Sequence, residues 1–203
     1  MDKILFIHGL ASSGAYKMAD ILRHLLAPCE LIAPDVPIEP DKAFAMLREL
    51  CATERPDLIV GHSLGGFWAQ QLRGFRKALV NPDFDASALM RTMTGEVKYL
   101  SPRANGEESF IIDEALCAAY EEREKALFDG LDAGETAITL GFFAESDELV
   151  QSFDEFESHY PGRGVRYPGG HLPTYPEIKR WMLPHLLTLL RETPREDLLS
   201  RCR

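Results

Sequence analysis

The run Asp57-Leu58-Ile59-Val60 leads directly into Gly61-His62-Ser63-Leu64-Gly65-Gly66, and a stretch of helical period follows as far as about Arg73. One local geometry suits such a sequence: a strand, a turn tight enough to need small residues on both sides of a serine, and a helix opening at the serine itself. A serine held there projects its hydroxyl beyond the carboxyl edge of a sheet. The helix that starts beside it directs backbone amides and the positive end of its dipole toward any negative charge that forms nearby. Five residues of the form Gly-x-Ser-x-Gly are weak evidence alone, and the strand-turn-helix placement is what makes them specific. A phosphate-cradling loop would place a lysine after the glycines, and none follows here.

The rest of the chain supplies the alternation that such a strand needs around it. Short apolar runs bounded by Gly, Pro, Asn or Asp are expected as strands at residues 3–8, 30–33, 57–61, 78–81, 136–142 and 164–167. Ile4-Leu5-Phe6-Ile7 and Leu58-Ile59-Val60 are apolar without alternation, as suits central parallel strands covered on both faces. Met18, Ile21, Leu22, Leu25 and Leu26 recur at helical spacing, as do Phe44, Leu47, Leu50 and Cys51 after Pro40-Asp41. Leu149, Phe153 and Phe156 mark a further helix. Thr174-Tyr175-Pro176-Glu177 reads as a capping box opening the last helix, which Pro184 should kink or restart. The sum is an α/β fold: a doubly wound, mostly parallel six-stranded sheet of order 2-1-3-4-5-6 with helices on both faces. Its ligand site is expected at the switch point above the first and third strands.

With 203 residues, 45% of them apolar and 27% charged, the chain is expected to form a single domain over 1–203 around one core. Residues 82–135 are out of scale, because such a connection usually takes about 2–6 residues on either side of its helix. This insertion holds a Gly/Pro-containing stretch at 95–106 and a helix near 113–129. It either caps the active site or packs at the periphery, and the sequence leaves both open. Residues 192–203 form a polar tail. A formal charge of −10 gives no basic footprint for nucleic acid or an anionic membrane surface. No apolar stretch approaches the ~20 residues that span a bilayer, and no basic leader or cleavage site surrounds Ile4–Ile7, so a cytoplasmic protein is expected. The four cysteines, Cys29, Cys51, Cys117 and Cys202, lack metal-ligand spacing and read as thiols in a reducing compartment, with Cys51 and Cys117 on apolar helix faces.

A serine is a poor nucleophile without a base, itself oriented by a third group. His171, in Pro168-Gly169-Gly170-His171 after the last expected strand, is where a loop at the carboxyl edge can deliver an imidazole to Ser63. His24 and His185 fall within helices and His159 near a helix end, while His8 and His62 are tied to their own turns. The acid should follow a late strand, which selects Asp147; Glu145 and Glu148 are its neighbours, and Asp83 or Asp85 is the other place for it. Two amides are expected to face an oxyanion: Leu64, after the serine, and Leu10 in His8-Gly9-Leu10, with Ala11 as the second choice. Leu10, Ala11, Phe67, Trp68, Phe84 and Leu172 are candidates for an apolar acyl pocket, and each is equally plausible as core. No metal is expected, since His8, His62 and His171 show no ligand spacing.

Taken together, these residues resemble the small bacterial esterases of the YqiA type within the α/β-hydrolase superfamily. The likeness runs through Ile7-His8-Gly9 with Ser12-Ser13, Ala33-Pro34-Asp35-Val36-Pro37, Val60 to Gly66, Val80-Asn81-Pro82, Asp147-Glu148 and Gly169-Gly170-His171. The resemblance implies a sheet reduced at its N-terminal edge. It also implies a cofactor-free serine hydrolase of small-molecule acyl esters or thioesters, with Ser63, Asp147 and His171 as nucleophile, acid and base. Three places depart from the pattern: His62 where a small residue is expected, Ser146 in place of a glycine, and Asp83-Phe84-Asp85. A non-catalytic binding protein, a C–C hydrolase or a perhydrolase would use the same framework, and oligomeric state is not legible.

Overall fold

The computed structural model describes residues 1–191. The expected polar tail 192–203, with Cys202, lies outside the described residues. Among the described residues there are eight strands: β1 (Lys3–Ile7), β2 (Glu30–Ile32), β3 (Leu58–His62), β4 (Lys77–Val80), β5 (Gly95–Lys98), β6 (Ser109–Ile112), β7 (Thr139–Ala144) and β8 (Gly164–Tyr167). Six of them form one parallel sheet of order β2-β1-β3-β4-β7-β8, and β5 pairs with β6 as a separate antiparallel hairpin. Discounting that hairpin, the order is the expected 2-1-3-4-5-6. The helices are α1 (Lys17–Leu25), α2 (Pro40–Glu54), α3 (Leu64–Gln71), α4 (Ala86–Arg91), α5 (Glu114–Glu124), α6 (Ala133–Ile138), α7 (Phe153–His159), α8 (Tyr175–Glu177) and α9 (Leu183–Arg191).

Because successive side chains of a strand point to opposite faces, β1 and β3 feed two cores at once. Ile4, Phe6, Leu58 and Val60 pack with Met18 and Leu22 of α1 and Leu186 and Leu189 of α9. Leu5, Ile7 and Ile59 pack on the other face with Leu47 of α2, Phe67 and Trp68 of α3, and Phe110, Cys117 and Tyr120 of the insertion. Ile4, Phe6, Ile7, Ile59 and Val60 are all 0% exposed, which explains their uninterrupted apolar reading.

Several boundaries differ from the sequence expectation. The strand expected at 136–142 begins at Thr139, because Asp132 caps α6: its Oδ1 accepts the Glu135 amide at 2.8 Å. Leu149 is not helical and is 60% exposed; the Asp147 carboxylate takes the amides of Leu149 and Val150, each at 2.9 Å, and this turn delays α7 until Phe153. The insertion contains α4 and the β5–β6 hairpin, neither expected, before α5, whose N-terminus Asp113 caps through the Leu116 amide at 2.8 Å. Glu177 reaches back to the Thr174 amide at 2.6 Å, closing the expected capping box. Pro184 is accommodated by a π turn over Ile178–Met182, where the widened ring shifts the bonding pattern ahead of the residue that lacks an N–H. No helix of the described residues is long and apolar enough to cross a membrane.

Candidate active site

The turn after β3 is built as its glycines demand. A methyl group at Gly61 would run into the Gly65 carbonyl, and one at Gly65 into the Ile7 carbonyl, so strand and helix approach here as only glycine permits. Between them Ser63 sits at φ 56°, ψ −120°, a conformation costing a residue with a Cβ roughly 1–3 kcal/mol. It is held from both sides. The Ser63 amide donates to the Val80 carbonyl at 2.9 Å, while its own carbonyl accepts from the amides of Gly66 (2.8 Å) and Asp83 (3.2 Å).

The loop after β8 brings His171 over this serine. Its Nε2 lies 3.0 Å from Ser63 Oγ and its Nδ1 lies 2.8 Å from Asp147 Oδ2, so one imidazole bridges both side chains. An ionised Asp147 can only accept, which places the ring proton on Nδ1 and leaves the Nε2 lone pair toward the serine hydroxyl. Burial pushes the Asp147 carboxyl up, but the hydrogen bonds from His171 and from the Val150 and Leu149 amides outweigh it, so the group titrates below its usual range.

Two side chains that the sequence left in their own turns or unassigned fix the His171 loop. The His171 carbonyl accepts from His62 Nε2 and Asn81 Nδ2, each at 2.9 Å. Asn81, at φ 44°, also donates to the Tyr167 hydroxyl (2.9 Å) and accepts the Ala144 amide (2.8 Å), so β4, β7 and β8 meet through one amide. His8 plays a comparable part in the turn after β1. Its Nε2 accepts the Val36 amide at 3.0 Å, leaving Nδ1–H to donate to the Gly9 carbonyl at 2.9 Å. In a trans peptide the next N–H points the opposite way, so this bond sets the direction of the Leu10 amide.

Of the other acids, Glu145, Glu148 and Asp85 are exposed. Asp83 is buried beneath the serine, and burial raises its carboxyl to about 6; it accepts the Asp85 amide at 3.3 Å, while Nδ1 of His171 is engaged by Asp147.

These buried groups set an acid limit on the fold. Burial lowers both His8 and His62 from 6.5 to about 4. The unfolded chain therefore takes up protons that the folded chain refuses, and stability is lost as pH falls through that window. Asp83, with its folded pKa above the unfolded value, opposes this in part. The two histidines outweigh the one carboxyl, and acidification from pH 7 to 5 should cost on the order of 2 kcal/mol, a fall in Tm of roughly 5 °C. A Tm that stays level or rises over that range would show that the histidines are not buried neutral.

A cavity of about 360 Å³ opens above Ser63 and His171. Leu10, Ala11 and Leu172 line it. Phe67, Trp68 and Phe84 do not: they are 0%, 1% and 4% exposed and belong to the core. Helix α3 turns Phe67 and Trp68 away from the serine and against Tyr120, with ring centroids 5.7 and 5.5 Å away, and Phe84 packs on Phe128 at 5.0 Å. The lining that sequence reasoning missed comes from the insertion, Leu89, Met93, Val97, Lys98 and Leu100, together with Leu149. Met93, Leu100, Leu149 and Leu172 are 37%, 83%, 60% and 59% exposed, and such a cluster of exposed apolar side chains around one opening is the only signal that would have found them.

A parallel sheet of this order, with the serine turn after β3 and the acid and histidine on loops after β7 and β8, is the architecture of the α/β-hydrolases. Within that class the chain belongs to the uncharacterised protein family UPF0227, whose model matches residues 3–128; this is the YqiA-type family that the sequence motifs resemble. Ser63 falls inside the matched segment, and Asp147 and His171 follow it. No curated protein matches the chain. Among solved structures, the fold is similar to that of the metagenome-derived lipolytic enzymes LipS and LipT (15% identity, 94% of each chain, TM-score 0.62). It is also similar to Est1E of Butyrivibrio proteoclasticus, solved with ferulic acid (16%, 95% of this chain and 87% of that one, 0.60). The methylesterase MES16 of Arabidopsis is a third (13%, 93% and 98%, 0.58).

Proposed function

We propose that this chain is a serine hydrolase that cleaves carboxylic acyl esters or thioesters through an acyl-enzyme on Ser63. The observation that carries this reading is the single imidazole of His171, 3.0 Å from Ser63 Oγ and 2.8 Å from Asp147 Oδ2. The esterases and lipolytic enzymes among structures of the same fold support a hydrolase in general. In the proposed reaction Ser63 Oγ attacks the carbonyl carbon while its proton passes to His171 Nε2, and Asp147 stabilises the imidazolium. The oxyanion is met by the amides of Leu64 and Leu10. Leu64 opens α3, so its N–H has no partner within the helix. On collapse the leaving alkoxide or thiolate takes the proton from His171. Water, deprotonated by the same histidine, then releases the acid and restores Ser63.

The insertion at 82–135 serves as a fixed cap in this reading, since it supplies five of the cavity's lining residues. Apart from Lys98, Ser12 and the hydroxyl of Tyr16, the wall away from Ser63 and the histidines is apolar, which favours an uncharged apolar group. A panel of acyl esters and acyl-CoA thioesters of rising chain length, run beside a fluorophosphonate probe, tests the reading. Covalent label on Ser63 together with turnover of at least one acyl series is the expected result. Turnover without label would remove the serine mechanism, and neither turnover nor label would leave a binding protein.

A further inference from the structure

The segment 99–104 of the insertion crosses directly behind the turn that follows β1. The Leu100 amide donates to the Ala11 carbonyl at 2.7 Å, and Ser101 Oγ lies 2.9 Å from Ser13 Oγ and 3.3 Å from Ser12 Oγ. Asp35 joins the two segments from the side, accepting the Gly14 amide on Oδ1 (2.7 Å) and the Ala104 amide on Oδ2 (2.6 Å). Arg103 is at the centre. Its side chain is only 4% exposed, its guanidinium lies 4.5 Å over the Tyr99 ring, and it donates to the carbonyls of Ser12 (3.4 Å) and Val36 (3.2 Å).

The turn that receives these bonds needs them. Ala11 stands at φ 55°, where a residue with a Cβ is strained, so the conformation persists only if its surroundings hold it. A buried guanidinium recovers its lost hydration through its acceptors, here the Ser12 and Val36 carbonyls and the Glu107 carboxylate 3.3 Å from Nε, so the backbone that provides the first two is stiffened in return.

We propose that Arg103, with Leu100 and Ser101 beside it, is a positioning residue that clasps the turn Leu10–Ser12 and keeps its amides aimed at the reacting carbonyl. The inference rests on the hydrolase reading above, with Leu10 as an oxyanion donor. Its consequence is that the insertion acts on the chemical step as well as on substrate fit. Amides that swing away bind the ground state almost as before and the tetrahedral state less well, which lowers kcat with little change in KM.

The test measures hydrolysis of an uncharged p-nitrophenyl acyl ester, and inhibition by a trifluoromethyl ketone that forms a tetrahedral adduct, for the wild type, Ser63→Ala, Arg103→Ala, Arg103→Lys and Ser101→Ala. Arg103→Ala should lose about 10- to 100-fold in kcat with KM within threefold, and the ketone should weaken in parallel. Arg103→Lys, able to reach one carbonyl but not brace both, should recover part of the loss. Ser101→Ala removes a single hydroxyl and should lose about threefold or more in kcat; it decides the matter if Arg103→Ala does not fold. An unchanged kcat, or a loss confined to KM, overturns the clasp while the wild type and Ser63→Ala still uphold the hydrolase. A wild type that hydrolyses nothing fails the hydrolase reading itself, and the clasp with it.

Discussion

Ser63→Ala will fold as the wild type does and will hydrolyse acyl esters slower by a factor on the order of 10⁵ to 10⁶ in kcat. The fold is spared because alanine keeps the Cβ that the turn at φ 56° already tolerates, and because the bonds that hold the turn run through the Ser63 backbone. The chemistry is lost because, among the described residues, Ser63 alone offers a hydroxyl hydrogen-bonded to His171 Nε2. His171→Ala should lose about as much, and the double variant little more, since nucleophile and base act as one unit. Circular dichroism and urea midpoints beside the kinetics separate lost chemistry from lost structure. A Ser63→Ala protein within tenfold of wild type would remove the nucleophile from the proposal.

Asp147→Asn is the second large effect, with kcat expected to fall by about 10³ to 10⁴. An asparagine retains an oxygen for the Leu149 and Val150 amides, so the loop keeps its shape and stability changes little. Its NH₂ can also turn toward Nδ1, in which case the imidazole proton moves to Nε2 and meets the serine hydroxyl donor to donor. Asp83→Asn should cost less than about tenfold, because His171 Nδ1 is already engaged by Asp147 at 2.8 Å. The reverse result, with Asp147→Asn nearly silent and Asp83→Asn severe, would move the acid to the loop after β4.

The sheet was readable because its physics is local. Ile4–Ile7 and Leu58–Val60 are buried on both faces, and burial of that kind leaves an unbroken apolar run in the sequence. The positions of Ser63, Asp147 and His171 were readable for a topological reason: each follows a strand whose carboxyl end must open at the same sheet edge. The wall of the cavity was not readable. Phe67 and Leu100 are both large and apolar, yet one is 0% and the other 83% exposed, a difference set by the path of an insertion whose folding depends on distant contacts. The hairpin escaped for a related reason, since ten residues separate its two short strands and no two-residue turn announces it. Asp132 did carry a signal, a helix cap three residues before Glu135, and it explains why β7 starts later than its apolar pattern suggests.

The burial pattern of β6 bears on how such a chain can change over time. Along Ser109–Ile112, Phe110 and Ile112 are 8% and 1% exposed and share a core with Leu5 and Ile59 of the sheet, while Ile111 between them is 58% exposed. The insertion is therefore part of the domain's foundation on one side and open to revision on the other. Truncating Phe110 or Ile112 would open the main core, at roughly 2–5 kcal/mol each, whereas Ile111 and its cross-strand neighbour Glu96 can vary almost without penalty. Mutational tolerance should rise and fall with a period of two along this hairpin. Lineages sharing the architecture are then free to diversify the mouth of the cavity at Lys98 and Leu100 one residue at a time, without ever passing through an unfolded ancestor.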